Sequence, residues 1–365
     1  MKKYVLKKAA ALFSSMLLAV CFAAEVRADE VLQFTKNLVL GQTVNDSLST
    51  GNGRYDFTIQ RSGTLTVQMG VYEGSGYSWG YHGGATLYED NGREIKKLRV
   101  SDNTSGTDTG VFTADILAGN YYIIIDRAHG DLNYYLSTDY IDSKETVVDS
   151  LTDTHNSQAN PISLPLKKTY TGHIADNSAD DVYKVKSSKS QYITFKVANR
   201  TNGCVFKIIN TNNTVNRTEN ISANSQSVKV FCPKGTYYVT ISKYSDWTDN
   251  PHTGTYTIRA DASGIPTSNI KKVTNKSGKI MAVTFVLRNA ETVNGYQIQY
   301  ATNNKFTKGR KSVFVTNSNY LKSTYEILVG SKKTCYVRIR TYVEDNRGNR
   351  YYSAWSSQKK ISIRK

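Results

Sequence analysis

The sequence predicts an all-β protein of three tandem antiparallel β-sandwiches that follow a signal peptide. The 365 residues include 26 Tyr and 11 Phe but only 5 Pro, a composition that favours strands. Short segments alternate apolar and polar residues, which buries one face of a sheet and exposes the other. An ordered set of such segments also recurs about 120 residues later. These features exclude a helix bundle, a coiled coil and a polytopic membrane protein.

Residues 1–28 are predicted to be a secretory signal peptide that is cleaved after Ala28. Four lysines precede the uncharged, mostly apolar run 9–24, whose 16 residues are fewer than the roughly 20 of a membrane span. A rival hypothesis is a lipid-modified Cys21, although Val20 before it is bulkier than such sites usually carry. We expect the mature chain to be secreted, able to associate with the cell surface, and without a transmembrane segment.

The first predicted domain covers residues 29–142. Its strand-like segments are 55–59, 63–67, 85–88, 117–125 and 134–136, with a turn at Asp90-Asn91-Gly92.

The second predicted domain covers residues 143–262. Its corresponding segments are 181–185, 192–197, 204–208, 232–239 and 254–258. Gly119 and Gly235, 116 residues apart, each precede Tyr-Tyr and are predicted to form turns with positive φ.

The two copies resemble the bacterial pre-peptidase C-terminal domain family. The residues that carry the resemblance are Asp181-x-Tyr183-x-Val185 after Gly172-x-Ile174, Gly235-Thr-Tyr237-Tyr238-Val239, and the lead-in Ala159-Asn-Pro161. The first copy departs from this pattern, with Tyr55-Asp56-Phe57 in place of Asp-x-Tyr. The resemblance implies non-catalytic sandwiches appended to secreted proteins, often peptidases, that sometimes bind a substrate or a matrix.

The third predicted domain covers residues 263–365, with strand-like segments at 281–287, 296–300, 313–315, 335–339 and 361–363. It resembles a bacterial fibronectin type III domain in the stretches 295–302, 334–342 and 352–357. Leu287 is expected where that family has a core Trp, and Cys335 where it has an inward aromatic. Trp355 is interpreted as a structural residue of the last strand.

Positive charge is concentrated in the third domain. Residues 263–365 hold 20 Lys and Arg against 4 Asp and Glu, net +16, whereas residues 29–262 carry −3. Such a field attracts polyanions, so anionic wall polymers, acidic lipids and sulfated host glycans are candidate partners. No nucleic acid is expected, because export removes the chain from its main pool. The alternative is a surface that only confers solubility. The predicted polyanion-binding residues are Lys308, Arg310, Lys311, Arg338 and Arg340.

Two polar loops carry large aromatic side chains that are candidate ligand anchors. They are Tyr77, Trp79 and Tyr81 in the first copy, and Tyr244 and Trp247 in the second. The alternative is that these rings fold back as covers over the sandwiches. Asp246, Asp249 and Asn250 form an incomplete set of oxygen ligands for Ca²⁺, so no metal site is predicted.

The sequence predicts no catalytic residues and no cofactor. None of the five His residues lies in HExxH or in another metal-site spacing, and there is no phosphate-binding loop. Cys204 and Cys232 are a possible disulfide, which leaves Cys335 as a free thiol.

The leading hypothesis is a secreted, non-catalytic binding or adhesion protein. Its basic third domain would associate with anionic surface polymers, and its first two domains would bind a cell-wall or host glycan or an extracellular protein. One alternative is an accessory or structural subunit of a separately encoded secreted hydrolase. Another is an enzyme with unrecognised catalytic residues. The joins near 143–160 and 262–268 permit either a rigid rod or a jointed chain.

Overall fold

The computed structural model describes residues 31–72, 80–102, 108–128, 130–152, 155–178, 180–199, 201, 203–222, 224–244, 252–318, 322–330 and 334–364. All 26 elements in these ranges are β-strands, and they form three pairs of sheets. The all-β fold class is therefore confirmed. Within the same residues, no helix has the length and apolar character needed to cross a membrane.

The first sandwich consists of β1–β9. Its strands are β1 (Leu32–Asn37), β2 (Thr43–Leu48), β3 (Asn52–Ile59), β4 (Gly63–Val71), β5 (Gly80–Glu89), β6 (Glu94–Asp102), β7 (Asp108–Ile116), β8 (Gly119–Arg127) and β9 (Leu132–Asp142). One sheet has the order β1-β3-β8-β5-β6 and the other β2-β9-β4-β7. The alternation of β3 buries Tyr55, Phe57 and Ile59 between the two sheets.

The middle sandwich consists of β10–β18. Its strands are β10 (Ile162–Ser163), β11 (Thr169–Ile174), β12 (Asp180–Ser187), β13 (Gln191–Asn199), β14 (Cys204–Asn210), β15 (Asn216–Ile221), β16 (Asn224–Cys232), β17 (Gly235–Lys243) and β18 (Gly254–Ser263). The sheet orders, β10-β12-β17-β14-β15 and β11-β18-β13-β16, match those of the first sandwich strand for strand. The internal repeat is therefore a repeat of topology.

One pairing in each copy is parallel, which the antiparallel prediction missed. β1 pairs with β3, and β10 with β12, in the parallel sense. The chain leaves each first strand, forms a strand of the opposite sheet, and then returns beside it. Parallel neighbours need such a crossover, which side-chain alternation does not reveal.

The C-terminal sandwich consists of β19–β26. Its strands are β19 (Ile270–Lys276), β20 (Ile280–Phe285), β21 (Gly295–Ala301), β22 (Lys311–Thr316), β23 (Thr324–Leu328), β24 (Thr334–Glu344), β25 (Arg350–Tyr352) and β26 (Lys359–Ser362). The order β19-β20-β23 faces the order β22-β21-β24-β25, in which β26 also pairs with β24. Cys335 points into the core, as predicted, and is fully buried.

The expected core role of Leu287 is wrong. This residue lies beyond the end of β20 and is 38% exposed. The core aromatic of this strand is Phe285, which is fully buried with its ring centroid 4.8 Å from that of Tyr296.

The predicted positive φ at Gly119 and Gly235 is also wrong, since neither glycine adopts it. At Gly119 the constraint is a close approach instead, because a Cβ built there would lie 2.6 Å from Cδ1 of Leu151. At Gly235 a Cβ would meet nothing closer than 3.9 Å.

The join after β9 contacts both of its neighbours through backbone hydrogen bonds. The Ser143 amide donates to the carbonyl of Ser62, whose hydroxyl in turn donates to the carbonyl of Asp149. Further along, the Thr146 amide donates 2.8 Å to the carbonyl of Thr171 in the middle sandwich. The segment is thus a packed connection between the two sandwiches.

The two repeats also bond to each other directly around Asp115. Its carbonyl accepts from the amide of Asp176, and its carboxylate accepts 2.7 Å from the hydroxyl of Thr253. His173 is buried beside this carboxylate, and burial lowers the pKa of its imidazole despite the attraction of Asp115. This contact is polar, in contrast to the sandwich cores.

The join to the C-terminal sandwich is packed by aromatic rings. The Tyr192 hydroxyl donates 2.6 Å to the carbonyl of Thr292, and the Tyr192 ring lies 5.3 Å from that of Phe231. Phe231 in turn lies 5.3 Å from Tyr351. The sequence left open whether the joins are rigid or flexible. In the structure, both joins pack against the sandwiches that they connect.

The possible disulfide is not formed, because Cys204, Cys232 and Cys335 are all buried free thiols. Cys204 lies opposite Lys243 at the end of β17, whereas Cys232 lies just before β17 begins. The thiols are thus near opposite ends of a strand of roughly 30 Å, while a disulfide needs Cα atoms within about 7 Å. Burial raises the pKa of Cys204 to about 11 and of Cys232 to about 12, so both stay protonated.

Candidate binding face of the C-terminal sandwich

The outer face of β24 presents two of the predicted polyanion-binding residues. Cys335, Val337 and Ile339 are fully buried in the core. Because strand side chains alternate, Arg338 and Arg340 lie on the opposite face, where both are partly exposed. The predicted direction of these two arginines is confirmed.

Arg338 is fixed by stacking and by hydrogen bonds. Its guanidinium carbon lies 4.2 Å from the ring centroid of Phe306 and 4.2 Å from that of Trp355. Its Nε and Nη2 donate 3.0 and 2.6 Å to Oε1 of Gln299 on the neighbouring strand β21. Since a guanidinium carries five N–H groups, these bonds orient the group without using all of its donors.

Arg340 is held in the same way one step along the strand. Its guanidinium carbon lies 3.7 Å from the ring centroid of Tyr352 and 4.3 Å from that of Trp355, and its Nε donates 2.7 Å to Oε1 of Gln297. Trp355 is therefore packed by both guanidinium groups. We call Arg338, Trp355 and Arg340 the arginine stack.

Two serines hold Trp355 in this position. The Ser353 amide donates to the carbonyl of Thr341, whose own amide donates 3.1 Å to the Ser353 hydroxyl. Ser356 repeats the arrangement with Ile339, at 2.8 Å through its amide and 3.0 Å through its hydroxyl. The segment after β25 is thus bonded along β24, which sets the indole over the two arginines.

A pair of buried glutamines on the neighbouring strand β21 supports the stack from the side. Gln297 and Gln299 are each only 7% exposed, and both Nε2 groups donate to the hydroxyl of Ser312, at 3.1 and 3.2 Å. The sequence analysis did not identify these residues or the role of Trp355. Two sequence features could have indicated them: the glutamines occupy alternate positions of an otherwise apolar strand, and Trp355 lies in a Ser-Ala-Trp-Ser segment.

The remaining predicted cations lie on the loop before β22 and at its start. Lys308, Arg310 and Lys311 are all exposed. The loop is ordered by Asn303, whose side-chain oxygen accepts from the amides of Thr307 and Lys308, each at 3.0 Å. Arg310 is near enough to Arg338 to add to the effect of burial in lowering its pKa, whereas Lys311 lies opposite the core residue Tyr300, on the other side of the sheet from the arginine stack.

Like charges on this face raise its electrostatic energy. Burial and the positive charge of Arg310 lower the pKa of the Arg338 guanidinium. Burial also lowers the pKa of Arg340, against the opposite effect of Tyr352, and Arg338 lowers it further. Arginines remain protonated at neutral pH, so the face keeps a cluster of partly desolvated cations.

Of the five predicted aromatic anchors, the structure describes the side chain of Tyr244 alone. Tyr77, Trp79 and Trp247 lie outside the described residues, and only the backbone of Tyr81, in β5, is described. Tyr244 packs edge-on against His252, with ring centroids 5.2 Å apart. Among the residues that the structure describes, no group of three or more potential metal-ligating side chains is suited to hold an ion.

No family model matches the chain, and no curated protein matches it. Among solved structures, it is similar to the pre-peptidase C-terminal domain of a collagenase from Bacillus anthracis, with 18% identity, 28% of this chain and 94% of that chain covered, and a TM-score of 0.25. It is also similar to the FN1–FN3 domains of chicken CNTN1, with 12% identity, 85% and 97% of the chains covered, and a TM-score of 0.23. These are the two kinds of domain that the sequence resembles, and the sandwich fold rests on the strand orders described above.

Proposed function

We propose that this protein is a secreted, non-catalytic binding protein that associates with anionic surface polymers through its basic C-terminal sandwich. In this proposal the first and middle sandwiches present a binding surface to a glycan or a protein. The net charge of +16 in residues 263–365 supports the direction of the attraction.

The observation that carries the proposal is the arginine stack with Arg310 beside it. Each stacked guanidinium is held by two aromatic rings and by a glutamine, so it loses little rotamer freedom on binding. Charge-assisted hydrogen bonds from such groups to phosphate or carboxylate are stronger than neutral ones. A bound anion would also relieve the repulsion between Arg310 and Arg338. The face is therefore suited to repeated anionic groups.

A polymer fits this face better than a single small anion does. The cations extend from β24 to the exposed loop residues Lys308 and Arg310. Two of the acidic residues of this sandwich are already paired with cations, Glu326 with Lys276 and Glu344 with Arg350. Several spaced contacts to one polyanion would add together, and salt would screen them.

The test is co-sedimentation of the chain from Asp29 with purified cell walls, with and without their anionic polymers, over a range of salt concentrations. A triple variant, Lys308→Gln, Arg310→Gln and Lys311→Gln, changes only exposed side chains and should fold normally. We expect it to bind several-fold more weakly, with a shallower salt dependence.

The matched control is Lys184→Gln, Lys186→Gln and Lys189→Gln in the middle sandwich, which removes the same charge elsewhere. This control should retain most of the binding. The electrostatic proposal is wrong if wall binding persists in high salt, survives removal of the polymers, or falls equally in the two triple variants.

A further inference from the structure

The first sandwich has a polar and aromatic outer face that the sequence analysis did not identify. On the sheet β1-β3-β8-β5-β6, Asp56 lies opposite Tyr122, and Tyr122 lies opposite Tyr88. One step along, Thr58 lies opposite Asn120, and their side chains are joined by a 2.9 Å hydrogen bond. These residues all point away from the core.

Three side chains form a stack across this sheet. The rings of Tyr88 and Tyr122 are nearly parallel, at 15° with centroids 5.1 Å apart. The guanidinium carbon of Arg54 lies 3.8 Å from the Tyr122 centroid, and its Nε donates 2.7 Å to Asp56. The rings are half-buried, so they combine a fixed orientation with a remaining exposed part.

Arg54 joins the stack to an open cleft of about 450 Å³, within the size range of small-molecule sites; Tyr88 and Tyr122 lie beside this cleft on the same sheet face and do not line it. The polar residues that line the cleft are Asn37, Arg54, Asp56, Thr58, Asp90 and Asn120. They provide amides, a hydroxyl, carboxylates and a guanidinium, and thus both hydrogen-bond donors and acceptors. The positive charge of Arg54 is engaged by Asp56, so the cleft has no excess of cations to attract a polyanion.

The middle sandwich shows that the fold does not require this set of residues. By register, its equivalent of Tyr122 is Tyr238, which lies opposite Lys184 and Ile209. At the positions of Arg54, Asp56, Thr58, Asn120 and Tyr88 it has Val182, Lys184, Lys186, Thr236 and Ile209. On this face the middle sandwich has only the tyrosine Tyr238, whereas the first sandwich combines two tyrosine rings with carboxylates and an amide.

We propose that this face of the first sandwich binds a neutral saccharide. A sugar ring has C–H groups that pack against aromatic carbons and hydroxyls that both donate and accept hydrogen bonds. Tyr88, the outer ring of the stack, offers the first kind of contact and is supported by Tyr122, while Asp56, Thr58 and Asn120 offer the second. The inference deepens the glycan-binding part of the proposed function, on which it rests, and places it on a sheet face instead of the aromatic loops.

The test uses the chain from Asp29 on an array of neutral hexose and N-acetylhexosamine oligosaccharides, printed beside sulfated and uronic-acid oligosaccharides. We expect the protein to bind at least one of the neutral oligosaccharides, with an affinity that does not change with salt concentration. Tyr122→Ala should weaken this binding about tenfold, whereas Tyr238→Ala, its structural equivalent, should leave it unchanged.

A second pair of variants removes the risk that losing a ring disturbs the sheet. Asn120 is exposed, so Asn120→Ala should fold normally and still weaken binding, while Thr236→Ala should not. The inference is overturned if no neutral saccharide binds, if only anionic saccharides bind and salt abolishes that binding, or if both members of a pair lose affinity equally.

The two proposals fail independently. The triple glutamine variant of the C-terminal sandwich should lose wall association and keep saccharide binding, and Tyr122→Ala should show the reverse. If a variant no longer associates with cell walls but still binds the saccharide, the wall-binding proposal is affected and the saccharide site is not.

Discussion

The first and middle sandwiches both link their two sheets through a pair of tyrosine hydroxyls. In the first, Tyr55 and Tyr134 lie 2.8 Å apart, and in the middle one, Tyr183 and Tyr256 lie 2.7 Å apart. In each pair, one hydroxyl also donates to a nearby carboxylate, and we call it the central hydroxyl. In the first sandwich Tyr55 donates to Asp46, and in the middle one Tyr256 donates to Asp181. The tyrosine that bonds the acid therefore lies in one sheet in the first sandwich, on β3, and in the other sheet in the middle sandwich, on β18.

The two carboxylates have opposite surroundings. Asp46 lies near the surface and pairs with Lys36; burial raises its pKa, but the bonds from Lys36, Tyr55 and the Ser47 amide outweigh this and lower it. Asp181 is buried with negative charges nearby, and burial raises its pKa to about 8 despite the bond from Tyr256. Burial and a cation, not the tyrosines, thus decide which acid is ionised at neutral pH.

The largest expected effect is an opposite pH dependence of the two sandwiches. Folded Asp181 keeps its proton up to about pH 8, while an unfolded aspartate loses it near pH 4. The stabilisation is thus complete below about pH 4 and is lost as pH rises through the folded pKa, on the order of several kcal/mol in all. Denaturant unfolding of the full chain at pH 5 and pH 8 measures this loss.

Asp181→Asn should remove this dependence, because the amide stays neutral, and the transition that it shifts identifies the middle sandwich. Asp46→Asn is the control. Because the pKa of Asp46 is lowered, its carboxylate stabilises the fold above the unfolded pKa, and this stabilisation is lost as pH falls through the folded pKa. Asp46→Asn should therefore lower stability equally at pH 5 and pH 8 and leave the difference between them unchanged. Equal stability of the natural chain at pH 5 and pH 8 would contradict the assignment.

A smaller difference is expected when the central hydroxyls are removed. Tyr256→Phe leaves the buried Asp181 without this donor and should cost about 1–3 kcal/mol. Tyr55→Phe leaves Asp46 with Lys36 and solvent, so only the buried Tyr134 hydroxyl loses its partner and a smaller cost of about 1 kcal/mol is expected. Thermal unfolding at pH 5 compares the two, and a larger loss for Tyr55→Phe would reverse the proposed ranking.

The smallest effect separates the two glycines that precede the Tyr-Tyr strands. Gly119→Ala places a methyl group against Leu151 and should destabilise by about 1 kcal/mol. Gly235→Ala meets no close atom and has no positive φ, so it should be neutral or stabilise by up to about 1 kcal/mol. Equal losses in chemical denaturation would show that a turn conformation constrains both positions.

Alternation along the chain predicted the strands because each sheet buries one face. The predicted segments 55–59 and 181–185 lie within β3 and β12, and the inward positions of β24 were identified correctly. The repeat of segment order likewise matched a repeat of sheet order. These features are local, since they depend only on which side of a strand a residue occupies.

Features that depend on contacts between distant strands were not predictable. Trp355 was interpreted as a structural residue of the last strand, but it lies between β25 and β26, and nothing in that segment showed that two arginines on β24 would pack on it. Cys204 and Cys232 were possible partners until the register placed them near opposite ends of β17. Asp181 and Asp46 are the same residue type, and only their neighbours give them different pKa values.

By itself, the sequence determined the all-β class, the duplicated module and the concentration of positive charge in residues 263–365, because periodicity and composition are properties of the chain. The tertiary structure alone decided which outward residues gather on one face. Arg338 meets Trp355 and Gln299, and Tyr122 meets Tyr88 and Arg54, only because separate strands pair in a particular register. Binding surfaces depend on those long-range pairings, which alternation along a single strand does not specify.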